Sequence, residues 1–489
     1  MTALFELEHL SVLAGETVLV DDLSLRLERG ERLTILGETG AGKSILAQTI
    51  MGMLPAGLTQ TGRVRVHGLD LADLDEEKLQ TLWGRTLTML PQEPWHSLDP
   101  LMSARQQVAE VYECVRGDRA AESQVNADSD FEAVGLFHDG HKLPGQLSGG
   151  MAQRVAFCAA TAGGARLLLA DEPTKGLDAS KRDYIVSLLH AHSFDGGAVL
   201  TITHDIEVAQ QLAGTIIVMR NGRVVETGTA DQLLTSPRTQ YTRGLIAASP
   251  KLWPTRRRLV AVSGRALITA SGIGINRGGH QLFSDMDLQV MPGEIIGVTG
   301  DSGSGKSTLG DILLGLLKAD TGTVKRVDGV AAHRFQKLYQ DPPAAFAPSV
   351  PLGDLFADLM ALHRLDSAVL PPLLQSLRLN PSLLSRPVDA VSGGELQRLA
   401  IARVMLLSPV FLFADEPASR LDPITAKEII DMLVELAHER DCAVLLVSHD
   451  PAVVEKVCDR VIRFSAVDSY PTCSASSGSS LEARNHLMG

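Results

Sequence analysis

Two glycine-rich segments of the chain carry the residue types that bind nucleotide phosphates. Residues 37–44 read GETGAGKS and residues 300–307 read GDSGSGKS, so both fit the pattern G-x-x-x-x-G-K-[ST]. Glycines leave backbone N–H groups open to phosphate oxygens, and the helix that follows turns its positive end toward them. The lysine can reach the β- and γ-phosphates, and the serine hydroxyl suits Mg²⁺. The candidate phosphate-binding residues are Gly37, Gly40, Gly42, Lys43 and Ser44, and Gly300, Gly303, Gly305, Lys306, Ser307 and Thr308.

An acidic pair follows each of these phosphate loops. Asp171-Glu172 and Asp415-Glu416 both end an apolar run and precede a proline. Nucleotide-binding parallel sheets place their ligands at the carboxyl ends of the strands. The first acid of each pair suits the Mg²⁺ shell, and the second suits a base that polarises an attacking water. An isolated Asp-Glu pair is more often the start of a helix, but its position behind a phosphate loop reverses that preference.

Strands and helices must position these groups. Apolar runs at residues 32–37 and 294–300 lead into the phosphate loops, and a helical pattern follows each loop. Residues 92–148 and 340–392 have a mainly helical pattern, which predicts a helical insert in each half. The alternation of strands and helices predicts an α/β fold with parallel sheets flanked by helices. Further buried strands are predicted at residues 166–171, 198–203, 410–415 and 443–448.

A Ser-Gly-Gly turn precedes each acidic pair in the same register. Ser148 lies 171 − 148 = 23 residues before Asp171, and Ser392 lies 415 − 392 = 23 residues before Asp415. At a helix N-terminus such a turn offers a hydroxyl and open N–H groups to an anion, although alone it is a flexible turn in most proteins. With these turns in register, the chain resembles the ATP-binding cassette (ABC) ATPases over about residues 3–465. The resemblance also rests on Gln92, Gln340, His204 and His449.

The resemblance implies an α/β fold of two P-loop NTPase domains of the ABC ATPase type. Each domain would have a RecA-like parallel core, an N-terminal antiparallel β region and a helical insert. The two halves would pair head to tail, so that each ATP lies between the phosphate loop of one half and the signature turn of the other. The signature residues would be Ser148, Gly149 and Gly150, and Ser392, Gly393 and Gly394.

The resemblance also assigns roles around each ATP. A lone histidine is usually structural, but the resemblance makes the two histidines sensors of the γ-phosphate that help to hold the attacking water. Because neither half lacks a carboxylate or a histidine, both sites are expected to hydrolyse ATP. The catalytic residues would be Glu172, His204, Glu416 and His449, and the Mg²⁺ residues would be Ser44, Gln92, Asp171, Ser307, Gln340 and Asp415.

Two features narrow the resemblance to one subfamily. The segments after Gln92 and Gln340, and residues 236–245 (SPRTQYTRGL), resemble the ATPases of the oligopeptide, dipeptide and nickel importers. In that subfamily two ATPase chains serve one permease pair, and here they are fused. The implied function is ATP-driven solute import. The implied partners are two integral membrane permeases and an extracytoplasmic binding protein, and the implied location is the cytoplasmic face of the cell membrane.

Two alternatives remain open. The accessory ATPases of the carbon–phosphorus lyase machinery look like this importer subfamily and would have a soluble enzyme complex as their partner. Tandem cassette proteins that act on ribosomes also carry two cassettes, but they join them by a long charged linker. Here the linker is about fifteen residues long and the chain is acidic.

The composition of the chain limits the partners and structural features that it can have. A net charge of −13 and a pI near 5.5 disfavour nucleic acid as a partner, and no run of eighteen apolar residues predicts a membrane span. Five cysteines without C-x-x-C spacing suggest neither a disulfide framework nor a zinc site. The predicted domains are residues 1–250 and 265–468, joined by a linker at 251–264 and followed by a flexible tail at 469–489.

Overall fold

The computed structural model describes residues 3–38, 40–177, 179–256, 264–301, 303–419 and 421–464. Its contacts divide the chain into two compact units. The first comprises Met1–Leu252 with Arg420–Lys427, and the second comprises Trp253–Ser419 with the chain from Glu428 onward. The domain boundaries given above remain predictions, and the tail at 469–489 lies outside the described residues.

Within the described residues, the first unit contains ten strands in two sheets. An antiparallel sheet has the order β2-β1-β4-β5, and a larger sheet has the order β10-β9-β3-β8-β7-β6. In the larger sheet all neighbours are parallel except β10, which pairs antiparallel with β9. The strands are β1 Phe5–Ala14, β2 Thr17–Leu27, β3 Arg32–Leu36, β4 Leu58–Val66, β5 Leu69–Asp70, β6 Leu87–Leu90, β7 Leu167–Asp171, β8 Ala198–Thr203, β9 Thr215–Arg220 and β10 Arg223–Thr229.

Helices surround the larger sheet, and three of them form the predicted helical insert. In this insert Val108 and Phe131 are fully buried and pack in one cluster with Val155 and Cys158 of the helix that follows the signature turn. The helices are α1 Lys43–Ile50, α2 Glu76–Leu82, α3 Pro94–Ser97, α4 Ala104–Val111, α5 Ala120–Ala133, α6 Gly149–Ala162, α7 Ala179–Phe194, α8 Ile206–Leu212, α9 Ala230–Thr235 and α10 Gln240–Ala247.

The second unit repeats this plan with fewer elements. Its antiparallel sheet has the order β12-β11-β14, and its parallel sheet has the order β15-β16-β17-β13-β18. The strands are β11 Ile268–Arg277, β12 His280–Val290, β13 Ile295–Gly300, β14 Thr321–Arg326, β15 Phe335–Leu338, β16 Phe411–Asp415, β17 Ala443–Val447 and β18 Arg460–Phe464. The helices are α11 Lys306–Leu314, α12 Leu352–His363, α13 Leu370–Ser376, α14 Gly393–Met405, α15 Pro423–Glu439 and α16 Pro451–Val457.

The parallel strands are the runs that the sequence predicts as buried. Every residue of β7, β8, β16 and β17 is buried, because helices cover both faces of a parallel sheet. Within each unit the phosphate-loop strand, β3 or β13, lies beside the strand that ends at a histidine, and the strand that ends at the acidic pair comes next. All these carboxyl ends therefore meet at one edge of the sheet. No helix in the described part of the chain is long and apolar enough to cross a membrane.

Candidate functional site

Each phosphate loop ends in a glycine that the backbone requires. Gly42 and Gly305 precede the first residues of α1 and α11 with φ of 90° and 101°, a left-handed conformation that favours glycine. A Cβ atom on Gly42 would also lie 2.5 Å from the carbonyl oxygen of Leu19, so a side chain there would displace the neighbouring strand. The loop is thereby held close to β2 while its N–H groups stay open.

The lysine of the first phosphate loop is buried and held by the loop itself. Lys43 Nζ donates to the carbonyl oxygens of Gly37, at 2.7 Å, and Glu38, at 2.8 Å. Burial lowers the pKa of Lys43, while the carboxylates of Glu172 and Asp171 oppose that shift. The ammonium therefore stands between the loop and the acidic pair.

The second phosphate loop repeats this geometry. Lys306 Nζ donates to the carbonyl oxygens of Gly300, at 2.8 Å, and Asp301, at 2.7 Å. Lys306 is 5% exposed, close to the 7% of Lys43. Each lysine is thus held by two peptide carbonyls of its own loop.

The acidic pair of the first unit combines two different carboxylates. Burial, and then the charge of Glu172, raise the pKa of Asp171 to about 6. Among the described residues, Asp171 Oδ1 is buried without a hydrogen-bond partner. A buried carboxylate oxygen of this kind fits a cation that comes with the nucleotide, because burial of an unpaired charge is costly.

Glu172 is held by a histidine and a threonine. His204 Nδ1 lies 2.7 Å from Glu172 Oε1, and Thr203 Oγ1 donates to Oε2 at 3.3 Å. Burial raises the pKa of Glu172, but His204 and Lys43 outweigh it and the net shift is downward. Burial lowers the pKa of His204, but the Glu172 charge outweighs it and the net shift is upward. The pair therefore favours a carboxylate beside an imidazolium.

The second unit connects the same residue types differently. Ser307 Oγ donates to Asp415 Oδ1 at 3.0 Å, and Gln340 Nε2 donates to Glu416 Oε2 at 2.7 Å. His449 Nε2 lies 2.6 Å from Glu416 Oε1. Burial raises the pKa of Asp415, and the Ser307 hydroxyl opposes that shift. The second unit thus joins its serine to the first acid and its glutamine to the second.

The backbone at both glutamates is also unusual. Glu172 and Glu416 have φ of 47° and 49°, in the left-handed region of backbone conformation that residues other than glycine seldom adopt. Their N–H groups donate to the carbonyl oxygens of Ile202, at 2.8 Å, and Val447, at 3.2 Å, on the adjacent strands. These bonds hold a turn that directs each glutamate toward the histidine at the end of the next strand.

The glutamines follow strands at the sheet edge, and the signature turns begin helices. Gln92 and Gln340 lie two residues beyond β6 and β15, beside the strands that carry the acidic pairs. Ser148 caps α6 by accepting from the N–H of Met151 at 3.4 Å. Ser392 caps α14 and also donates to the Glu395 carboxylate at 2.7 Å. Gly149, Gly150, Gly393 and Gly394 lie in the first turns of these helices.

Sequence reasoning missed an ion pair close to the second phosphate loop. Lys337 Nζ lies 2.6 Å from Asp311 Oδ1, and the two side chains are 14% and 29% exposed. Lys337 also lies over the Phe413 ring, 5.2 Å from its centroid. The signal was available, because a lysine in the short central stretch of β15, between buried Phe335 and Leu338, needs a counter-charge nearby.

Comparison with known proteins agrees with this geometry. The family model for the ABC transporter matches residues 20–175 and 283–419. A peptidoglycan transport ATP-binding protein, YejF of Agrobacterium fabrum, is 33% identical over 477 residues, which cover 91% of this chain and 87% of the relative. The glutathione import ATP-binding protein GsiA of Escherichia coli K12 is 32% identical over 504 residues, covering 90% of this chain and 81% of the relative.

Among solved structures, the archaeal ribosome recycling factor aABCE1, in complex with the ribosomal stalk protein aP1, shares the fold. Its TM-score is 0.64 at 20% identity, with coverage of 91% of this chain and 85% of that chain. At this identity the likeness concerns the fold alone. The family match, the full-length relatives and two sets of buried lysine, acidic pair and histidine lead to one conclusion: the chain belongs to the ABC transporter family and is an ATP-binding ATPase within it.

Proposed function

We propose that the chain is the energy-coupling ATPase of an importer for a peptide-type solute, nickel or a related small solute. The peptidoglycan transport protein and the glutathione import protein described above support import of a solute that contains peptide bonds. One observation supports the ATPase activity most directly. Each unit holds a buried glutamate against a histidine at the sheet edge where the phosphate loop begins.

In this proposal the phosphate loops bind the β- and γ-phosphates through their open N–H groups. Lys43 and Lys306 are already oriented by two carbonyls each, so little ordering is required when ATP arrives. Glu172 and Glu416 act as bases that polarise the attacking water. His204 and His449 fix the orientation of these carboxylates and face the γ-phosphate.

The metal site belongs to the same proposal. Ser44, Gln92 and Asp171 would hold Mg²⁺ in the first unit, and Ser307, Gln340 and Asp415 would hold it in the second. The fit rests on hard oxygen ligands, among them the unpartnered Asp171 Oδ1 and the adjacent Ser307 and Asp415 oxygens. When bound, Mg²⁺ would neutralise charge that develops on the transferred phosphate.

Each ATP site is proposed to be composite. The signature turn at Ser392–Gly394 would complete the site of the first phosphate loop, and the turn at Ser148–Gly150 would complete the site of the second. Serine hydroxyls and open N–H groups at the N-termini of α6 and α14 suit a phosphate there. This arrangement requires residues 1–250 and 265–468 to act as two cassettes that close on ATP.

The partners follow from the importer assignment. Two membrane permeases would receive the closure of the cassettes through the helical inserts, at the cytoplasmic face of the membrane, and a substrate-binding protein would deliver the solute. Residues 236–245 support this subfamily through their resemblance to the peptide and nickel importers.

The test is to identify what co-purifies with the tagged chain from mildly solubilised membranes of its own host. Two multi-span permeases are the expected result, and mass spectrometry identifies them. Ribosomes, or a soluble enzyme complex of the carbon–phosphorus lyase type, would contradict the importer and leave the ATPase chemistry intact. A parallel purification of the Lys43→Ala and Lys306→Ala double variant shows which partners depend on nucleotide.

A further inference from the structure

The helix α10 brings a tyrosine hydroxyl to the first phosphate loop. Glu38, the second residue of that loop, donates its backbone N–H to Tyr241 Oη at 3.3 Å, across 203 residues of sequence. The other end of the same peptide group is the carbonyl of Gly37, which accepts from Lys43 Nζ at 2.7 Å. One peptide plane is therefore held at its N–H by Tyr241 and at its carbonyl by Lys43.

The tyrosine ring is itself fixed in place. The Arg220 guanidinium lies over the ring, 4.8 Å from its centroid. Burial, and then a hydrogen bond with the Glu38 side chain, raise the pKa of Tyr241. The hydroxyl thus stays protonated at neutral pH, so it can donate to the Glu38 carboxylate while it accepts from the Glu38 N–H.

The helix that carries the tyrosine is anchored at both ends. The Glu226 carboxylate accepts from the N–H groups of Arg238, at 2.8 Å, and Thr239, at 3.0 Å, just before α10 begins. Further along, Leu245 is fully buried in one cluster with Leu36, the last residue of the strand that leads into the phosphate loop. The helix that brings Tyr241 to the loop is therefore held on both sides of the tyrosine by these contacts.

We propose that Tyr241 is a positioning residue for ATP in the first site: its hydroxyl holds the Gly37–Glu38 peptide in the orientation that directs Lys43 toward the phosphates. The inference rests on the proposed phosphate-binding role of that loop. It gives residues 236–245, singled out by the sequence only as a subfamily feature, a task at the first nucleotide site.

The test uses the full chain with one site silenced at a time. In a Lys306→Ala background only the first site should bind a non-hydrolysable ATP analogue, and in a Lys43→Ala background only the second. Tyr241→Phe keeps the ring over Arg220 and removes the hydroxyl alone. Equilibrium binding of the analogue should weaken about two- to tenfold at the first site, as expected for one hydrogen bond, and stay unchanged at the second.

Controls separate positioning from folding. Tyr184→Phe removes a hydroxyl from α7 whose only described contact is a 3.4 Å bond to the Ala133 carbonyl, and it should leave both affinities unchanged. In otherwise unaltered protein, Tyr241→Phe should raise the KM for ATP with kcat within about twofold, because uniform binding is lost. Arg220→Leu, which frees the ring and keeps the hydroxyl, should weaken the first site by a smaller factor.

Two outcomes would overturn the inference. One is parental affinity at the first site in Tyr241→Phe, and the other is an equal loss at both sites, which would indicate a global effect. A different result, undiminished binding in Lys43→Ala with Lys306→Ala, would overturn the phosphate-loop assignment itself. The failure of the positioning role and the failure of the proposed function are therefore distinguishable.

Discussion

The two units hold the same proposed catalytic residue types in different hydrogen-bond networks. In the second unit the glutamate receives the amide of Gln340, while in the first unit the corresponding oxygen of Glu172 receives the hydroxyl of Thr203. The residue that matches Thr203 in the second unit is Ser448, and both hydroxyls accept from the N–H two residues further on, that of Asp205 at 3.0 Å and that of Asp450 at 3.1 Å. The two units therefore differ in the second donor to the glutamate, which is a hydroxyl in the first unit and an amide in the second.

A second difference concerns charge behind the phosphate loop. Gln48 and Asp311 occupy matching positions, five residues after the loop lysine in each unit. Met89 and Lys337 also match, as the third residues of the corresponding strands β6 and β15. The pair in the first unit is uncharged, and the pair in the second unit is the ion pair at 2.6 Å. The same phosphate-loop motif is thus packed against different residues in the two units. In the second unit the partly buried charge of Lys337 has its counter-charge, Asp311, beside it.

We expect the largest effect on ATP hydrolysis from removing either of the two proposed bases. Glu172→Gln and Glu416→Gln should each reduce steady-state ATP hydrolysis by roughly 100-fold or more at the altered site, because general-base catalysis supplies about 10²- to 10⁴-fold. The double variant should retain bound ATP, which filter binding measures. Glu455→Gln, on the surface of the second unit, is the matched control. Unchanged hydrolysis in the double variant would refute the assignment of the bases.

A smaller effect should follow from breaking the ion pair of the second unit. Lys337→Met leaves the Asp311 carboxylate half-buried without its partner, so the free energy of unfolding should fall by about 2 kcal/mol. Adding Asp311→Gln, which reproduces the residues of the first unit, should restore most of it. Urea unfolding measures both variants. If the double variant is less stable than Lys337→Met, the uncharged pair of the first unit cannot replace the ion pair of the second.

The signature turns should differ by about 1 kcal/mol. Glu395 accepts from both the N–H and the hydroxyl of Ser392, whereas Met151 takes its place in the first unit. Glu395→Met should therefore cost about 1 kcal/mol of unfolding free energy, the usual effect of losing a helix cap. Thermal unfolding provides the measurement, and Met151→Glu should stabilise α6 by a similar mechanism. Equal stability of all three proteins would contradict the capping role.

The smallest expected effect is a pH dependence that arises from His204 of the first unit. The pKa of His204, which faces Glu172, Lys43 and Asp205, is raised from its ordinary 6.5 in the folded chain. A raised folded pKa means that the pair contributes its full stability below pH 6.5 and loses it as pH rises through the higher folded value. Unfolding free energy measured from pH 6 to 9 should fall more in the parent than in His204→Gln. Parallel curves would argue against the ion pair.

Much of the fold and of both sites is predictable from the sequence because the relevant signals are local. Strand, glycine loop and helix follow one another within a few residues at 32–50 and 295–314, and backbone preferences over that distance are set by residue type. The acidic pairs end buried strands for the same reason. The order of the parallel strands then brings the predicted lysines, carboxylates and histidines to one edge in each unit.

Hydrogen-bond partners, by contrast, were decided by tertiary packing. Gln340 and Glu416 are 76 residues apart and Tyr241 and Glu38 are 203 apart, so no local pattern relates them. Each bond depends on how two elements pack to within about 3 Å, a distance that small differences in neighbouring side chains alter. Residue types and their spacing therefore determined which groups are candidates for each site, whereas the packing of distant elements decided which of those groups touch.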